Sequence, residues 1–193
     1  MPLDAMDEVS DDALLVLFAN GDDAAARMLT LRLTPRVLAH AFRMLGNRAD
    51  AEDVTQDALM RLWKIAPEWR QGEAQVSTWL YRVTANLCTD RLRRRRGVAL
   101  DSIAEPEDES PSAADGLQET SRAQALQQAL GELPERQRQA VVLRHLEGRS
   151  NPEIAEIMDI STEAVESLTA RGKRALAAAL AGRREELGYE DDT

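Results

Sequence analysis

Apolar positions recur at spacings of three and four along this chain, which is the period of α-helices, and short polar or glycine-containing breaks separate the runs. Asp11 or Asp12 is expected to cap a short helix through Ala19, which Gly21 interrupts. A second helix begins near Asp22. Thr34-Pro35 then either caps a new helix, with proline at its first position, or kinks a longer one. Val37, Leu38, Ala41, Phe42 and Leu45 form an inward stripe that ends in a Gly46-Asn47 cap. Asp50 is the expected cap of AEDVTQDALMRLWKIA, whose Val54, Ala58, Leu62 and Ile65 face a core and which stops before Pro67. Ser77 caps a further helix with Trp79, Leu80, Val83 and Leu87 on one stripe, running into Arg91 and Arg93–Arg96.

From Val98 to about Thr120 the period disappears, and prolines, small residues and acids take over, as in a flexible linker. Helical spacing resumes at Arg122–Glu132, with Ala125, Leu126, Ala129 and Leu130 inward. Leu133-Pro134 opens a helix carrying Ala140, Val141, Leu143 and Leu146, which Gly148 closes. Ser150 and Glu153 form an S-x-x-E capping box with Pro152 in the first turn, so a helix of about two turns begins there, with Ile154, Ala155 and Met158 inward. Asp159 occupies the tight turn, where it tolerates a left-handed backbone, and Ser161 caps the next helix. Its Val165 and Leu168 pack back, with Ile160, on the first: a helix-turn-helix. The chain is therefore expected to be all-α, with two small helical domains joined by an acidic flexible linker, the second a four-helix module containing the helix-turn-helix.

The net charge of −10 argues against a nucleic-acid partner until its distribution is considered. Residues 31–97 carry 13 Lys/Arg against 7 Asp/Glu, and residues 121–184 carry 10 against 8. Residues 1–30, 98–120 and 185–193 are acidic. Two basic modules thus alternate with acidic segments, which either screen them from indiscriminate DNA binding or keep a linker extended and soluble.

Five guanidiniums within six residues repel one another unless an anion lies across them, and a phosphate backbone supplies such anions at regular spacing. That helix also presents Trp79, Tyr81, Arg82, Asn86 and Thr89, and the polar loop from Gln71 to Val76 precedes it. On the preceding helix Asp53, Gln56, Asp57, Met60 and Trp63 mix acids with large apolar groups, the pattern of a surface that docks a basic partner helix. In the helix-turn-helix, Arg149 lies at the mouth, Glu166, Ser167, Ala170 and Arg171 lie on the face that enters a major groove, and Lys173 and Arg174 are left for phosphates.

Other chemistries have less support. Cys88, the single cysteine, reads as a small buried helix residue and fits a reducing compartment. His40 and His145 stand alone, with no carboxylate or nucleophile at a diagnostic spacing, so no catalytic residues and no enzyme activity are expected. Glu105, Glu107, Asp108 and Glu109 lack the spacing and central glycine of a calcium loop, and no metal or cofactor is expected. No run of eighteen apolar residues and no basic-then-apolar start is present, which predicts a soluble cytoplasmic protein.

The order AEDVTQDALMRLWK, STWLYRVTANLCTDRLRRRR, an acidic linker, LPERQRQAVVLRHLEGRSNPEIAEIMDIS and AVESLTARGKRAL resembles the extracytoplasmic-function (ECF) group of bacterial RNA polymerase sigma factors, over most of residues 22–182. The resemblance implies an acidic extension with a short helix at 1–21, sigma region 2 at 22–97, a linker at 98–120, sigma region 4 at 121–184 and an acidic tail at 185–193, with no region 3 domain. It further implies that Asp53, Gln56, Asp57, Met60 and Trp63 dock the β′ clamp helices of RNA polymerase core. The loop from Gln71 to Val76, with Trp79, Tyr81, Arg82, Asn86 and Arg93–Arg96, would open and read the minus-ten element. The second module would read the minus-thirty-five element beside the β flap. A cognate anti-sigma factor would hold the chain inactive.

Three positions depart from the family pattern. Glu166 stands where a basic residue is common before the serine, Leu168 where arginine often follows, and Gly172 where alanine is usual. Glu166 can accept a hydrogen bond from a cytosine amine, so the family's usual minus-thirty-five sequence does not transfer. A stand-alone helix-turn-helix regulator is the alternative reading. Against it, the amino-terminal helices show no sensor-pocket chemistry, and the arginine-rich helix sits far from the helix-turn-helix in sequence.

Overall fold

A computed structural model describes residues 8–101 and 117–181, and among them every regular element is a helix. In chain order these are α1 (Asp11–Ala19), α2 (Asp23–Leu45), α3 (Arg48–Ile65), α4 (Val76–Asp101), α5 (Leu117–Glu132), α6 (Glu135–Val141), α7 (Asn151–Met158) and α8 (Thr162–Ala181). The acidic positions 105–109 and the tail 185–193 lie outside the described residues.

The first module is built on α2, which runs through Pro35 without a break and so resolves the Thr34-Pro35 alternative in favour of one long helix. Leu29, Leu33 and Val37 of α2 meet Leu14 and Leu15 of α1, Ala58 and Leu62 of α3, and Val76 and Leu80 of α4 in one core. The α1 helix belongs to this core, and Asp12 accepts a hydrogen bond from the Val76 backbone N–H at 3.1 Å, which fixes the start of α4. A second layer nearer the end of α2 packs Ala41, Met44 and Leu45 against Ala51, Val54 and Cys88. Burial, followed by the nearby Glu135 carboxylate, pushes the Cys88 thiol up to about 12, so it behaves as the inert apolar residue the sequence suggests.

Helix ends differ from expectation in three places. Ser10, not Asp11 or Asp12, caps α1 by accepting from Ala13 N–H at 3.2 Å, which leaves both aspartates in the first turn beside the positive end of the helix. Asn47 caps α3 by accepting from Asp50 N–H at 2.9 Å, and Asp50 is thereby freed for another task. The α4 helix begins at Val76, so Ser77 sits inside its first turn rather than before it. At both edges of the expected linker the helices run on, α4 to Asp101 and α5 from Leu117, and residues 102–116 lie outside the described set.

In the second module α6 is continued by a π-type turn, Val142–Leu146, in which the Glu147 N–H donates to the Val142 carbonyl at 3.0 Å. Leu130, Leu133, Val141 and Val142 form one core with Leu176 beside it, and Ala140, Leu143, Ile154, Ile157, Met158 and Val165 form the other. Ser150 and Glu153 complete the capping box, Asp159 adopts φ 54°, and Ser161 accepts from Ala164 N–H at 3.2 Å, so the helix-turn-helix forms where its signals lie.

Gly172 has a packing reason. A Cβ at this position would stand 2.6 Å from Val141 Cγ2 and 2.9 Å from the Gln137 carbonyl oxygen, so α8 crosses α6 at a separation only glycine permits. Replacing Gly172 by Ala gains about 1 kcal/mol of helix propensity but overpacks the crossing by roughly 1–3 kcal/mol, and the Gln137 backbone oxygen cannot rotate away. The expected outcome is a net loss of stability, read as a lower urea midpoint at unchanged slope; a midpoint equal to or above the parent would show that the crossing relaxes freely.

Candidate nucleic-acid interface

The arginine-rich end of α4 is partly neutralised by the chain's own acids. Arg91 donates from Nε to Asp50 Oδ1 at 2.9 Å and from Nη2 to Asp53 Oδ2 at 2.5 Å, and Arg95 also pairs with Asp50. Arg93 lies 3.7 Å from Asp90, and Arg96 reaches Glu135 of the second module at 2.9 Å. The cluster therefore divides. Arg91 and Arg95 clamp the first turn of α3 onto α4, while Arg93, Arg94 and Arg96 stand exposed at the helix end, where a surface ion pair is worth little and readily exchanges for a phosphate.

Along α3, Asp53, Gln56, Asp57 and Met60 share an exposed ridge, and the Met60 side chain is 60% accessible. Trp63 closes one end of that ridge, half-buried and edge-on to Phe18 at 5.0 Å. On α4, Arg82 and Asn86 are exposed, and Trp79 is half-buried with its ring edge-on to Trp69 at 6.1 Å. The loop from Gln71 to Val76 contains a tight turn at Gly72, whose φ is 89°.

The face of α8 lies open: Glu166, Ser167, Ala170, Arg171, Lys173 and Arg174 are all exposed. Glu166 is tethered across the helix-turn-helix by Asn151 Nδ2 at 3.5 Å. Arg149 is not free in the same way, because its guanidinium binds Glu153 at 3.1 Å and stacks over the Tyr81 ring at 4.7 Å.

Tyr81 differs most from what its sequence position suggests. It is 3% exposed and packs among Leu143, Ile154, Ile157 and Met158 of the second module. Its hydroxyl donates to Glu147 Oε2 at 2.9 Å, while Arg43 of the first module pairs with the other carboxylate oxygen. Burial and the Glu147 charge push the Tyr81 phenol up to about 12, so it remains a donor at any physiological pH. Around this centre the last carbonyls of α2 take donors from the second module: Gln127 reaches Phe42 at 3.1 Å and Arg138 reaches Met44 at 2.5 Å. Glu147, Arg43, Arg138 and Gln127 were not legible as a group, since their sequence signals are an ordinary helix end and scattered polar positions.

Among the described residues no group of His, Cys, Asp and Glu is placed to hold a metal, and no helix is long and apolar enough to cross a membrane.

Comparison with known proteins places both modules. Residues 29–98 match the Sigma-70 region 2 family, and residues 123–176 match Sigma-70 region 4. The ECF RNA polymerase sigma factor SigM of Mycobacterium tuberculosis is 36% identical over 171 residues, which cover 88% of this chain and 84% of that protein. SigE of Mycolicibacterium smegmatis, also described as an ECF RNA polymerase sigma factor, is 34% identical over 168 residues, and the chain spans 65% of its length. The solved structure of CnrH in complex with the cytosolic domain of CnrY superposes with a TM-score of 0.66 at 28% identity, covering 89% of this chain and 97% of that one.

One titration follows from the buried contact. His40 is fully buried, edge-on to Tyr81 at 5.1 Å, and burial together with the Arg43 and Arg149 charges pushes its imidazole down to about 3. Between pH 6.5 and about 3 the unfolded chain binds a proton at this residue that the folded chain refuses, so folding stability falls as the pH drops through that window. At pH 5.5 the loss relative to pH 7.5 is about 1.4 kcal/mol from this group alone. His40→Met should flatten the stability-against-pH curve by that amount in urea denaturation at the two pH values. Parallel curves for the two proteins would place the proton on the folded imidazole.

Proposed function

The chain belongs to the extracytoplasmic-function group of bacterial RNA polymerase sigma factors, and from that premise we propose that it binds core polymerase through the α3 ridge and directs it to promoters with α4 and α8. The observation that carries this reading is the pairing of two exposed surfaces of different chemistry on two modules. One is an acidic-apolar ridge of Asp53, Gln56, Asp57 and Met60, suited to a basic helix such as the β′ clamp. The other is a recognition helix with Glu166, Ser167, Ala170 and Arg171 outward and Lys173 and Arg174 beside them for phosphates.

In this reading Arg82, Asn86 and the exposed Arg93, Arg94 and Arg96 meet the minus-ten DNA, with the arginines positioning the backbone and Asn86 available to a base. Glu166 specifies rather than repels, accepting from a cytosine amine in the minus-thirty-five element with Asn151 restraining its rotamer. The protein acts in the cytoplasm as a non-enzymatic initiation factor. A cognate anti-sigma factor completes the reading, supported by the likeness to CnrH, which was solved in complex with the cytosolic domain of CnrY. A stand-alone regulator would have no use for the α3 ridge.

The test is run-off transcription with purified core polymerase on the promoter upstream of its own gene. Wild type should give a discrete transcript that core alone does not. Asp57→Arg should abolish or strongly reduce both the transcript and co-purification with core at unchanged helicity, because an exposed charge reversal rarely costs more than about 0.5 kcal/mol of stability. Full activity and full co-purification of that variant would remove the ridge from the polymerase contact.

A further inference from the structure

Asp53 stands on two surfaces at once. It begins the exposed ridge of α3 that the proposed function assigns to polymerase, with Gln56, Asp57 and Met60 following at helical spacing. Its carboxylate is also the outer end of a charged chain that crosses to α4. Asp53 Oδ2 accepts from Arg91 Nη2 at 2.5 Å, the same guanidinium donates from Nε to Asp50 Oδ1 at 2.9 Å, and the other Asp50 oxygen accepts from Arg95. Arg95 also donates from Nη1 to the Leu45 carbonyl, at a long 3.3 Å.

Two carboxylates thus face two guanidiniums, and the group is electrically neutral. Its members differ in access to water. The Asp53 side chain is 65% exposed and the Asp50 side chain 19%, so a basic group arriving from solvent meets Asp53 first. Among the cations, Arg95 is 43% exposed and Arg91 30%.

A cation that takes Asp53 leaves the two guanidiniums to share Asp50. Arg91 already addresses Asp50 through two nitrogens, Nε at 2.9 Å and Nη2 at 2.8 Å, and a two-nitrogen grip on a carboxylate is stronger than a single one. Arg91 therefore keeps Asp50, and Arg95 is displaced. It lies between Arg94 and Arg96, both exposed at the same helix end, so the charge set free appears beside the arginines already assigned to phosphates.

We propose that Asp53 is a carboxylate shared between polymerase docking and promoter binding: a basic helix of core competes with Arg91 for it, and the displacement passes through Asp50 to release Arg95 to a DNA phosphate. The inference rests on the function proposed above and adds Arg95 to its promoter contacts. The coupling runs both ways, since DNA that draws Arg95 from Asp50 lets Arg91 leave Asp53 and opens the ridge to core. Exposed ion pairs are weak, so each arm changes affinity only severalfold. Weakness is also what exchange requires, because a tightly held Asp53 could not be shared.

The test is a double-mutant cycle on holoenzyme formation, with purified core and the full-length chain at low salt. Arg91→Gln removes the competitor and should tighten core binding about threefold. Asp53→Asn should weaken it, and the gain from Arg91→Gln should vanish in the Asp53→Asn background. A clamp that merely held α3 on α4 gives the opposite sign, since its loss loosens the ridge. Should Arg91→Gln lose helicity by circular dichroism, Arg91→Lys, which keeps the charge but lacks the planar fork that spans both carboxylates, reads the same direction. The second readout is the salt dependence of promoter binding by the holoenzyme. Arg95→Gln should flatten the slope of log affinity against log salt by about 0.9, the contribution of one duplex phosphate. Core affinity of Arg91→Gln equal to or below that of wild type overturns the shared carboxylate, and an unchanged slope for Arg95→Gln overturns the release. Failure of wild type to bind core at all removes the functional reading itself, and this inference with it.

Discussion

A carboxylate with little access to water governs the arrangement of this protein. Glu147 sits at the end of a helix whose last turn widens to π geometry, and its oxygens face a hydroxyl and a guanidinium that belong to the other module. Withdrawing it from those partners without offering water would be prohibitive, so the two modules either meet at this point or separate fully. The surrounding contacts share that property. At the end of α2 the Phe42 carbonyl, which already accepts from the Gly46 N–H, also takes Gln127 from across the interface, the Met44 carbonyl takes Arg138, and Tyr81 completes a core that α6, α7 and α8 leave open. Buried aromatic area and hydrogen-bonded carboxylate and carbonyl oxygens thus lie in one place, with the exposed pairs Arg96–Glu135 and Arg82–Asp159 as further links between the modules.

The arginines show the opposite use of charge. Arg91 and Arg95 spend theirs on Asp50, which is available because Asn47 performs the capping that the aspartate would otherwise do. Arg93, Arg94 and Arg96 keep theirs at the surface, where pairs are weak and replaceable. A cluster that looks uniform in sequence thus divides into a structural half that fixes α3 against α4 and a half suited to phosphates.

Local signals read well because their physics is local. The Ser150–Glu153 capping box, the left-handed Asp159, the Ser161 cap and the Gly46 terminus each depend on a few neighbouring residues, and each forms where its residues lie. The exposed ridge on α3 and the open face of α8 follow from helical period alone. Tyr81 marks where that reasoning stops, since the period predicts which side of α4 it occupies but not that a second module covers that side. Glu147 was invisible for the same reason: its partners lie 66 and 104 positions away. Gly172 could be recognised as a departure, but its cause, the Gln137 carbonyl beneath it, is a tertiary fact. The caps fall at Ser10 and Asn47 rather than at the aspartates that follow them, because several adjacent polar residues can each cap a helix and packing decides among them.

The central claim is that the two modules are joined in the free chain by the Glu147 contact. Arg27 on α2 and Ala177 on α8 are exposed, and Cys88 is fully buried, so cysteines introduced at 27 and 177 can carry spin labels selectively. The distance between those labels, measured by pulsed electron resonance in the otherwise unaltered free protein and again with Glu147→Ala added, tests the claim directly. The account predicts one narrow distance distribution with Glu147 present and a broader, longer one without it. A broad distribution with Glu147 present, or the same narrow distribution in both proteins, would contradict it.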